Sequence, residues 1–369
     1  MKAVILVGGK GTRLLPLTCN TPKSMVPVLN RPFMEYVVKH LGEHKVNDII
    51  MAMNYLPEAI ENYFGDGSKF AKHIYYCLES SPMDTAGAVK NTERYIDQDA
   101  FIVLNGDIFT DLDFTDMLRY HREKKAKVTI ALTPVPDPTN YGLIETTPSG
   151  RITRFLEKPK PEEVTTDMIN AGIYILEPEV LDWIPKDTPW SFERKLFPML
   201  LERGEPVYGY SSDAYWIDIG RPEKYFQLHR DLLTISNLLS SEMQAPVLNG
   251  AEASLGREAA RIHPSAKING PVAIGAGSEI GPGVTLNGPV IIGPGCVIKE
   301  GSVLDESLIW QNIQIGVDVN LKKSFIADSC LLNNRSSLEG TILGDHVTIG
   351  SGLKLGAGSK VWPGTVVNP

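Results

Sequence analysis

The sequence predicts an α/β domain, a mixed and mostly parallel sheet with helices on both faces, followed by a stack of short parallel coils. Three observations predict it. Short β-branched runs alternate with helical patterns over the first two thirds of the 369 residues; 18 of the 33 glycines fall between Gly256 and Pro369; and a six-residue aliphatic period runs through that glycine-rich part. Alternation of this kind argues for βαβ units. A fixed period argues for a repeat architecture more firmly than residue propensity does.

The elements follow in order. Lys2–Val7 reads as a strand and Phe33–His44 as the helix after it; Asp48–Met53 and Pro57–Phe64 form a second pair, and Phe101–Leu104 and Thr115–Lys124 a third. Pro222–Leu239 reads as a helix opened by proline, whose missing N–H is no loss in the first turn. Ser240–Arg261 is rich in Ser, Ala, Glu and Gly without clear period. The expected division is therefore a domain at 1–240, a linker at 241–261 and a repeat domain at 262–369.

Within the last segment Ile262, Ile268, Ile274, Ile280, Leu286, Ile292, Ile298 and Leu304 are successive aliphatics at a spacing of six. After a slip of one residue the period resumes at Ile309, Ile315 and Leu321, after another at Ile326, Leu332 and Leu338, and after a third at Leu343, Ile349, Leu355, Val361 and Val367. Glycine follows the aliphatic at Gly275, Gly281, Gly293, Gly316, Gly344, Gly350 and Gly356. The pattern resembles the hexapeptide repeats of the left-handed parallel β-helix. That implies three hexads per triangular coil, with the aliphatics stacked down the axis and roughly six coils in all. The slips after 304, 321 and 338 would each shorten one coil edge. A β-sandwich would need period-two alternation and turn signals every 8–12 residues.

Composition excludes several classes. Lys plus Arg is 36 against Asp plus Glu 44, a net charge of −8, and no basic block offsets it. Nucleic acid and anionic membrane are poor partners for such a chain. Cys19, Cys77, Cys296 and Cys330 lie far apart with no CxxC and no paired histidine spacing, so neither a disulfide framework nor a zinc site is indicated and a reducing cytoplasm fits. The apolar run Ala3–Val7 is too short for a signal peptide, and no 18-residue apolar stretch occurs.

The strand Ala3–Val7 runs directly into Gly8-Gly9-Lys10-Gly11-Thr12-Arg13. A glycine-rich turn frees backbone N–H groups to cradle an anion, though the same turn could be plain punctuation, and it matches neither GxGxxG nor the P-loop. Arg13, and Lys23 within Thr21-Pro22-Lys23, add two cations just beyond it. Leu6-Val7-Gly8-Gly9-Lys10-Gly11-Thr12-Arg13-Leu14-Leu15-Pro16-Leu17-Thr18 with Pro22-Lys23 resembles the signature of the sugar-1-phosphate nucleotidylyltransferases. Asn105-Gly106-Asp107, Glu157-Lys158-Pro159, Asn170-Ala171-Gly172 and Trp216-Ile217-Asp218-Ile219-Gly220 recur in the family's order, so the resemblance spans residues 1–235. It is closest in wording to the mannose-1-phosphate guanylyltransferase branch, which shares both domains.

The resemblance implies a Rossmann-like sheet and transfer of a nucleotidyl group from a nucleoside triphosphate to a sugar 1-phosphate, by positioning and charge neutralisation with Mg²⁺. Asp107 and Asp218 would hold the ion, since Mg²⁺ takes one or two carboxylates plus substrate phosphates; either residue alone reads equally well as a helix cap. Arg13, Lys23, Asp107, Lys158 and Asp218 are the expected catalytic set. Leu6, Gly8, Gly9, Gly11, Thr12, Glu79, Asp84, Thr85 and Gly106 would join Arg13 and Lys23 around the nucleotide. Lys158 would meet the sugar phosphate and Glu157 the sugar hydroxyls, although an exposed strand-end ion pair is the simpler alternative. Asn170 and Gly172 would line the sugar pocket, with Tyr141 and Gly142 opposite.

Glu79 bears on the base. Family members that use UTP or TTP typically carry Gln at this position, whereas an ionised Glu only accepts and matches guanine N1–H and N2–H₂. GTP is favoured if Glu79 points inward rather than into solvent. Asp84 stands where the family usually has Gly, and Asp tolerates a positive φ better than most residues. Alternatives are a glucose-1-phosphate uridylyl- or thymidylyltransferase, a bifunctional enzyme with an acetyltransferase in the β-helix served by His263 or His346, and a non-catalytic regulatory subunit. Flat prism faces and open coil ends predict a homo-oligomer through the β-helix.

Overall fold

The computed structural model describes residues 1–235, 238–239, 260–369 and the backbone of 247–249. They fall into two compact units, Met1–Lys10 with Met34–Asp218, and Gly11–Phe33 with Ile219–Pro369.

The first unit is built on a nine-stranded sheet of β1 (Lys2–Leu6), β2 (Asp48–Met53), β3 (His73–Leu78), β4 (Phe101–Asn105), β5 (Val128–Pro134), β6 (Gly142–Thr146), β7 (Ile152–Glu157), β8 (Met168–Leu176) and β9 (Val207–Ser211). The path runs β7-β6-β8-β4-β1-β2-β3, with β5 on β8 and β9 on β5. The β4-β1-β2-β3 side is wholly parallel. Strands of this kind are covered on both faces and read as continuous apolar runs; Ala3, Val4 and Ile5 are all fully buried, as are Ile49 through Met53. β8 runs antiparallel to β4 and to β5, with a register shift between Asn170 and Tyr174. Such a bulge re-aims side chains beside a site.

The helices on this sheet are α1 (Phe33–Glu43), α2 (Pro57–Phe64), α3 (Asp84–Asn91), α4 (Phe114–Glu123) and α5 (Phe197–Glu202). α4 is capped by Asp113, whose carboxylate accepts from Asp116 N. Val4, Ile50, Val103, Ile130, Tyr174 and Phe197 belong to one buried cluster. Beyond β4 the chain forms a two-stranded ribbon, Ile108–Thr110 against Trp216–Asp218, with Asp218 opposite Ile108.

In the second unit the period becomes three parallel sheets. Ile262, Ile280, Ile298, Ile315, Leu332, Ile349 and Val367 pair in succession down one of them. Ile268, Leu286, Leu304, Leu321, Leu338 and Leu355 do so down the second, and Ile274, Ile292, Ile309, Ile326, Leu343 and Val361 down the third. This is the expected left-handed β-helix of six coils. The three slips all fall at the corner between the second and third sheets, so those coils lose their residue at the same vertex. Hydroxyls stitch the corners: Ser307 Oγ accepts from Ser324 N and Ser324 Oγ from Thr341 N, each at 3.2 Å, while Ser302 Oγ accepts from Val319 N at 3.1 Å. His263 and His346 sit in exposed turns.

Gly11–Phe33 packs within this second unit. It contains two short 3-10 turns, Thr12–Leu14 and Lys23–Met25, and a hairpin of Pro27–Val28 with Arg31–Pro32, and it buries Leu14, Leu17, Val26 and Val28 completely. Helix α6 (Pro222–Thr234) lies against it: Tyr225 donates its hydroxyl to Pro27 O, and Phe226 stacks on Phe325 at 6.0 Å between centroids. α6 is shorter than the expected Pro222–Leu239, because the β-branched Ile235 adopts an extended conformation (φ −98°, ψ 104°) and ends it. Most of the expected linker lies outside the described residues; its backbone at Val247–Asn249 pairs antiparallel with Pro271–Ile274. Among the described residues no helix is long and apolar enough to cross a membrane.

Candidate active site

Asn105, Asp107, Asn140, Tyr141, Gly142, Glu157, Asn170, Gly172, Glu193, Trp216 and Asp218 line one cavity of about 150 Å³ in the first unit. It opens beyond the carboxyl end of β4, where open parallel sheets bind ligands. Two segments remote in sequence bring the aspartates there. Asp107 follows the β4 end, where Gly106 N–H donates to Leu6 O at 2.9 Å, and Asp218 ends the ribbon strand paired with Ile108. Two carboxylates lining one cavity are hard-oxygen donors of the kind Mg²⁺ takes. Among the described residues no group of three or more His, Cys, Asp or Glu could hold a metal ion, so substrate phosphates would have to complete the shell, as Mg²⁺ sites commonly require.

Seven of the expected residues meet in this cavity: Asp107, Tyr141, Gly142, Glu157, Asn170, Gly172 and Asp218. Gly142 faces Glu157 across the β6–β7 pair, where a methyl group would stand 2.7 Å from the Phe155 ring. Gly172 has φ +71°, and a Cβ there would come within 2.5 Å of Asn105 Nδ2. Close approach therefore excludes a side chain at Gly172, though the neighbour is the Asn105 amide. Lys158 does not line the cavity; it is exposed beside Glu157, its backbone at φ +51° with N–H donated to Tyr141 O.

Asn170 is less available than the sequence suggests. Its Oδ1 accepts from Gly172 N and its Nδ2 donates to the Tyr174 hydroxyl, both at 2.9 Å. Tyr174 in turn donates to Glu193 Oε1 at 3.3 Å. Glu193 is the residue sequence reasoning missed. Its other oxygen accepts from Thr85 Oγ1 at 2.9 Å and Ser191 Oγ at 2.6 Å, so it joins the cavity to the turn that opens α3. The one local signal is the Ser-Phe-Glu start of a helical turn, in which Ser191 Oγ accepts from the N–H groups of Glu193 and Arg194. Burial, and then the facing Glu193, hold the Glu157 carboxyl above its ordinary value, while Lys158 and Arg194 pull it back.

The expected nucleotide residues divide between the two units. Leu6, Gly8, Gly9, Glu79, Asp84, Thr85 and Gly106 lie in the first and Gly11, Thr12, Arg13 and Lys23 in the second. Glu79 is buried, 8% exposed, and a methyl group on Gly8 would stand 3.4 Å from its Oε1. It points inward, but Oε2 already accepts from Met83 N at 3.0 Å, so a base edge would share that carboxylate with the loop it closes. Burial pushes its carboxyl above the ordinary value, partly offset by the Met83 bond. Asp84 takes φ +59°, the left-handed conformation its family counterpart glycine would adopt freely. The Thr85 hydroxyl is engaged by Glu193 and Phe192 N. In the second unit Gly11, at φ +59°, closes the loop on itself: Thr18 Oγ1 donates to its carbonyl at 2.9 Å, and a Cβ would stand 3.0 Å from that of Lys23.

Comparison with known proteins shows the family. Residues 2–235 match the nucleotidyl transferase family, and residues 255–355 match the EIF2B subunit epsilon LbH domain. A UTP–glucose-1-phosphate uridylyltransferase of Synechocystis is 38% identical over 87% of this chain and 86% of its own. A mannose-1-phosphate guanylyltransferase of Mycobacterium tuberculosis is 37% identical over 76% of each chain. A mannose-1-phosphate guanyltransferase of Gibberella zeae is 36% identical over 97% of this chain and 95% of its own. Among solved structures, HddC from Yersinia pseudotuberculosis, also determined in complex with GMP-PN, superposes with a TM-score of 0.55 at 29% identity, covering 62% of this chain and 98% of that one.

Proposed function

The chain belongs to the nucleotidyl transferase family, and from that premise we propose that it transfers the guanylyl group of GTP to mannose 1-phosphate, giving GDP-mannose and pyrophosphate. The observation that carries the reading is the convergence of Asp107 and Asp218 on the cavity lined by Glu157, Asn170 and Gly172. A phosphate oxygen of the sugar phosphate attacks the α-phosphorus in line; the new P–O bond forms as the bond to the β-phosphate bridge breaks, and pyrophosphate leaves with its electrons. No protein nucleophile is required, so the chain's work is orientation and charge neutralisation.

In this reading Glu157 accepts from sugar hydroxyls, Lys158 pairs with the sugar phosphate, and Tyr141, Gly142, Asn170 and Gly172 shape the pocket. Arg13 and Lys23 neutralise the triphosphate, with Leu6, Gly8, Gly9, Gly11, Thr12, Asp84, Thr85 and Gly106 around the nucleotide and Glu79 at the base edge. Mg²⁺ held by Asp107 and Asp218 would lower the repulsion between the two anionic substrates. We assign residues 1–240 to this chemistry and 262–369 to a β-helix through which copies of the chain associate in the cytoplasm. Light scattering that finds only monomer at micromolar concentration would count against association.

The guanylyl and mannose assignment is supported by the Gibberella relative, which matches across both domains. The Synechocystis relative favours a second reading, uridylyl transfer to glucose 1-phosphate. A pyrophosphate-release panel crossing GTP, UTP, TTP, ATP and CTP with mannose, glucose and glucosamine 1-phosphates separates them. Release with GTP and mannose 1-phosphate at a kcat/KM at least about tenfold above every other pair is the expected result.

A further inference from the structure

Asn20 lies between Arg13 and Lys23, and its Nδ2 donates to Asp345 Oδ2 at 2.9 Å across 325 residues of sequence. Asp345 is only 5% exposed, and its other oxygen accepts from Asp328 N at 3.2 Å. The carboxylate is thus held from both sides. Asp328 is held in the same manner one coil earlier, by the backbone N–H and the side-chain Nε2 of Gln311 at 3.2 and 2.9 Å. Gln311, Asp328 and Asp345 stand 17 residues apart, one above another at a single corner of the β-helix.

The loop at the other end of this bond is closed on itself. Thr18 Oγ1 donates to Gly11 O, Cys19 N donates to Pro16 O at 3.2 Å, and a Cβ on Gly11 would stand 3.0 Å from that of Lys23. Asn20 thus sits within the same internally bonded segment that carries Arg13 and Lys23. A second tether, Asn30 Nδ2 to Ile292 O at 3.0 Å, fixes the far end of that segment to an earlier coil. An amide donating to a buried carboxylate is a charge-assisted bond, and removing the amide leaves the charge short of a partner.

We propose that Asp345 is a positioning residue for nucleotidyl transfer: through Asn20 the β-helix sets the conformation of the loop bearing Arg13 and Lys23, and hence affinity for the triphosphate. The proposal rests on the reading of those two cations as phosphate ligands. Its test uses the full chain with Asn20→Ala, Asp345→Ala, the double alanine variant, and the exchanged pair Asn20→Asp with Asp345→Asn, which keeps a donor and an acceptor facing each other. Each single alanine variant is expected to raise KM for the triphosphate about tenfold and leave KM for the sugar phosphate unchanged. The double variant should add little to either, and the exchanged pair should return to within about twofold of the parent.

Amide hydrogen exchange over residues 11–25 reads the same coupling without turnover and is expected to quicken in both alanine variants. Unchanged exchange there, additive effects in the double variant, or a parallel rise in both KM values with a fallen melting temperature would overturn the proposal. Should the parent protein turn over no sugar phosphate, the functional reading fails while the exchange measurement still decides the coupling. Asn20→Ala alone decides it if Asp345→Ala does not fold, because Asn20 is exposed.

Discussion

The indole N–H of Trp216 donates to the carbonyl of Ala171 at 2.8 Å, which ties the ribbon strand ending in Asp218 to the β8 bulge carrying Asn170 and Gly172. Trp216 also meets Tyr141 edge to face at 5.7 Å. Trp216→Phe keeps an aromatic ring and loses the bond to the Ala171 carbonyl. A loss of about 1–3 kcal/mol in stability is expected, with KM for the sugar phosphate raised. Thermal melting and steady-state kinetics check both.

Asp107→Asn and Asp218→Asn remove a charge each without changing shape. Turnover is expected to fall by a factor on the order of 10² to 10⁴ in either variant, with the chain remaining folded by circular dichroism. Calorimetric titration of Mg²⁺ with a non-hydrolysable triphosphate present should show weakened binding in both. Full turnover in either variant would remove that residue from the proposed ion site.

If Glu157 accepts from the sugar hydroxyls as proposed, binding of the sugar phosphate depends on pH. Burial and Glu193 raise its carboxyl above 4.5 in the folded protein, so sugar-phosphate affinity should decline, as pH falls, at a higher pH than an exposed glutamate would allow. The stability effect has the opposite sense. A folded value above the unfolded one means the neutral form favours folding: the contribution is complete below about 4.5 and is lost as pH rises through the raised value. Glu157→Gln, neutral throughout, should melt higher than the parent at pH 7 and bind sugar phosphate about tenfold more weakly.

Glu79→Gln tests the base. The Met83 N–H needs one acceptor, which Gln Oε1 supplies, so the loop is preserved. The remaining position changes from acceptor to donor. Preference for GTP over UTP should fall by about ten- to a hundredfold, read as the ratio of kcat/KM values for the two triphosphates.

Gly172→Ala meets both a positive φ and the Asn105 amide. It should cost about 1–3 kcal/mol and disturb the cavity at the same time, lowering melting temperature and activity. Gly9→Ala is the companion, since a Cβ there meets nothing within 4 Å; its melting temperature should be unchanged.

The β-helix was legible because a six-residue period survives every local irregularity, and even the slips after Leu304, Leu321 and Leu338 could be placed by counting. The meeting of Asp107, Glu157, Asn170 and Asp218 in one cavity was legible because each is carried by a short motif. Glu193 was not, because its role arises from bonds to Thr85 and Tyr174 that no spacing encodes. Nor was the packing of Gly11–Phe33 with the second unit: the bond that holds Asn20 closes a loop of more than 300 residues, and nothing near Asn20 in sequence announces Asp345. The length of α6 was overestimated because proline marks a start and Ile235 gives no comparably strong stop.

Ile292 and Leu343 belong to one sheet and are separated by three pairings, through Ile309 and Ile326. Asp345 follows two residues after Leu343, so the prism serves as a ruler between the two points where the loop is pinned. Excising 17 residues, one whole turn, between those points would preserve every stacking contact in kind yet shift Asp345 by one strand spacing, about 4.8 Å. That exceeds the reach of the Asn20 amide. The number of coils, and not merely their presence, is therefore a dimension to which the loop is tailored.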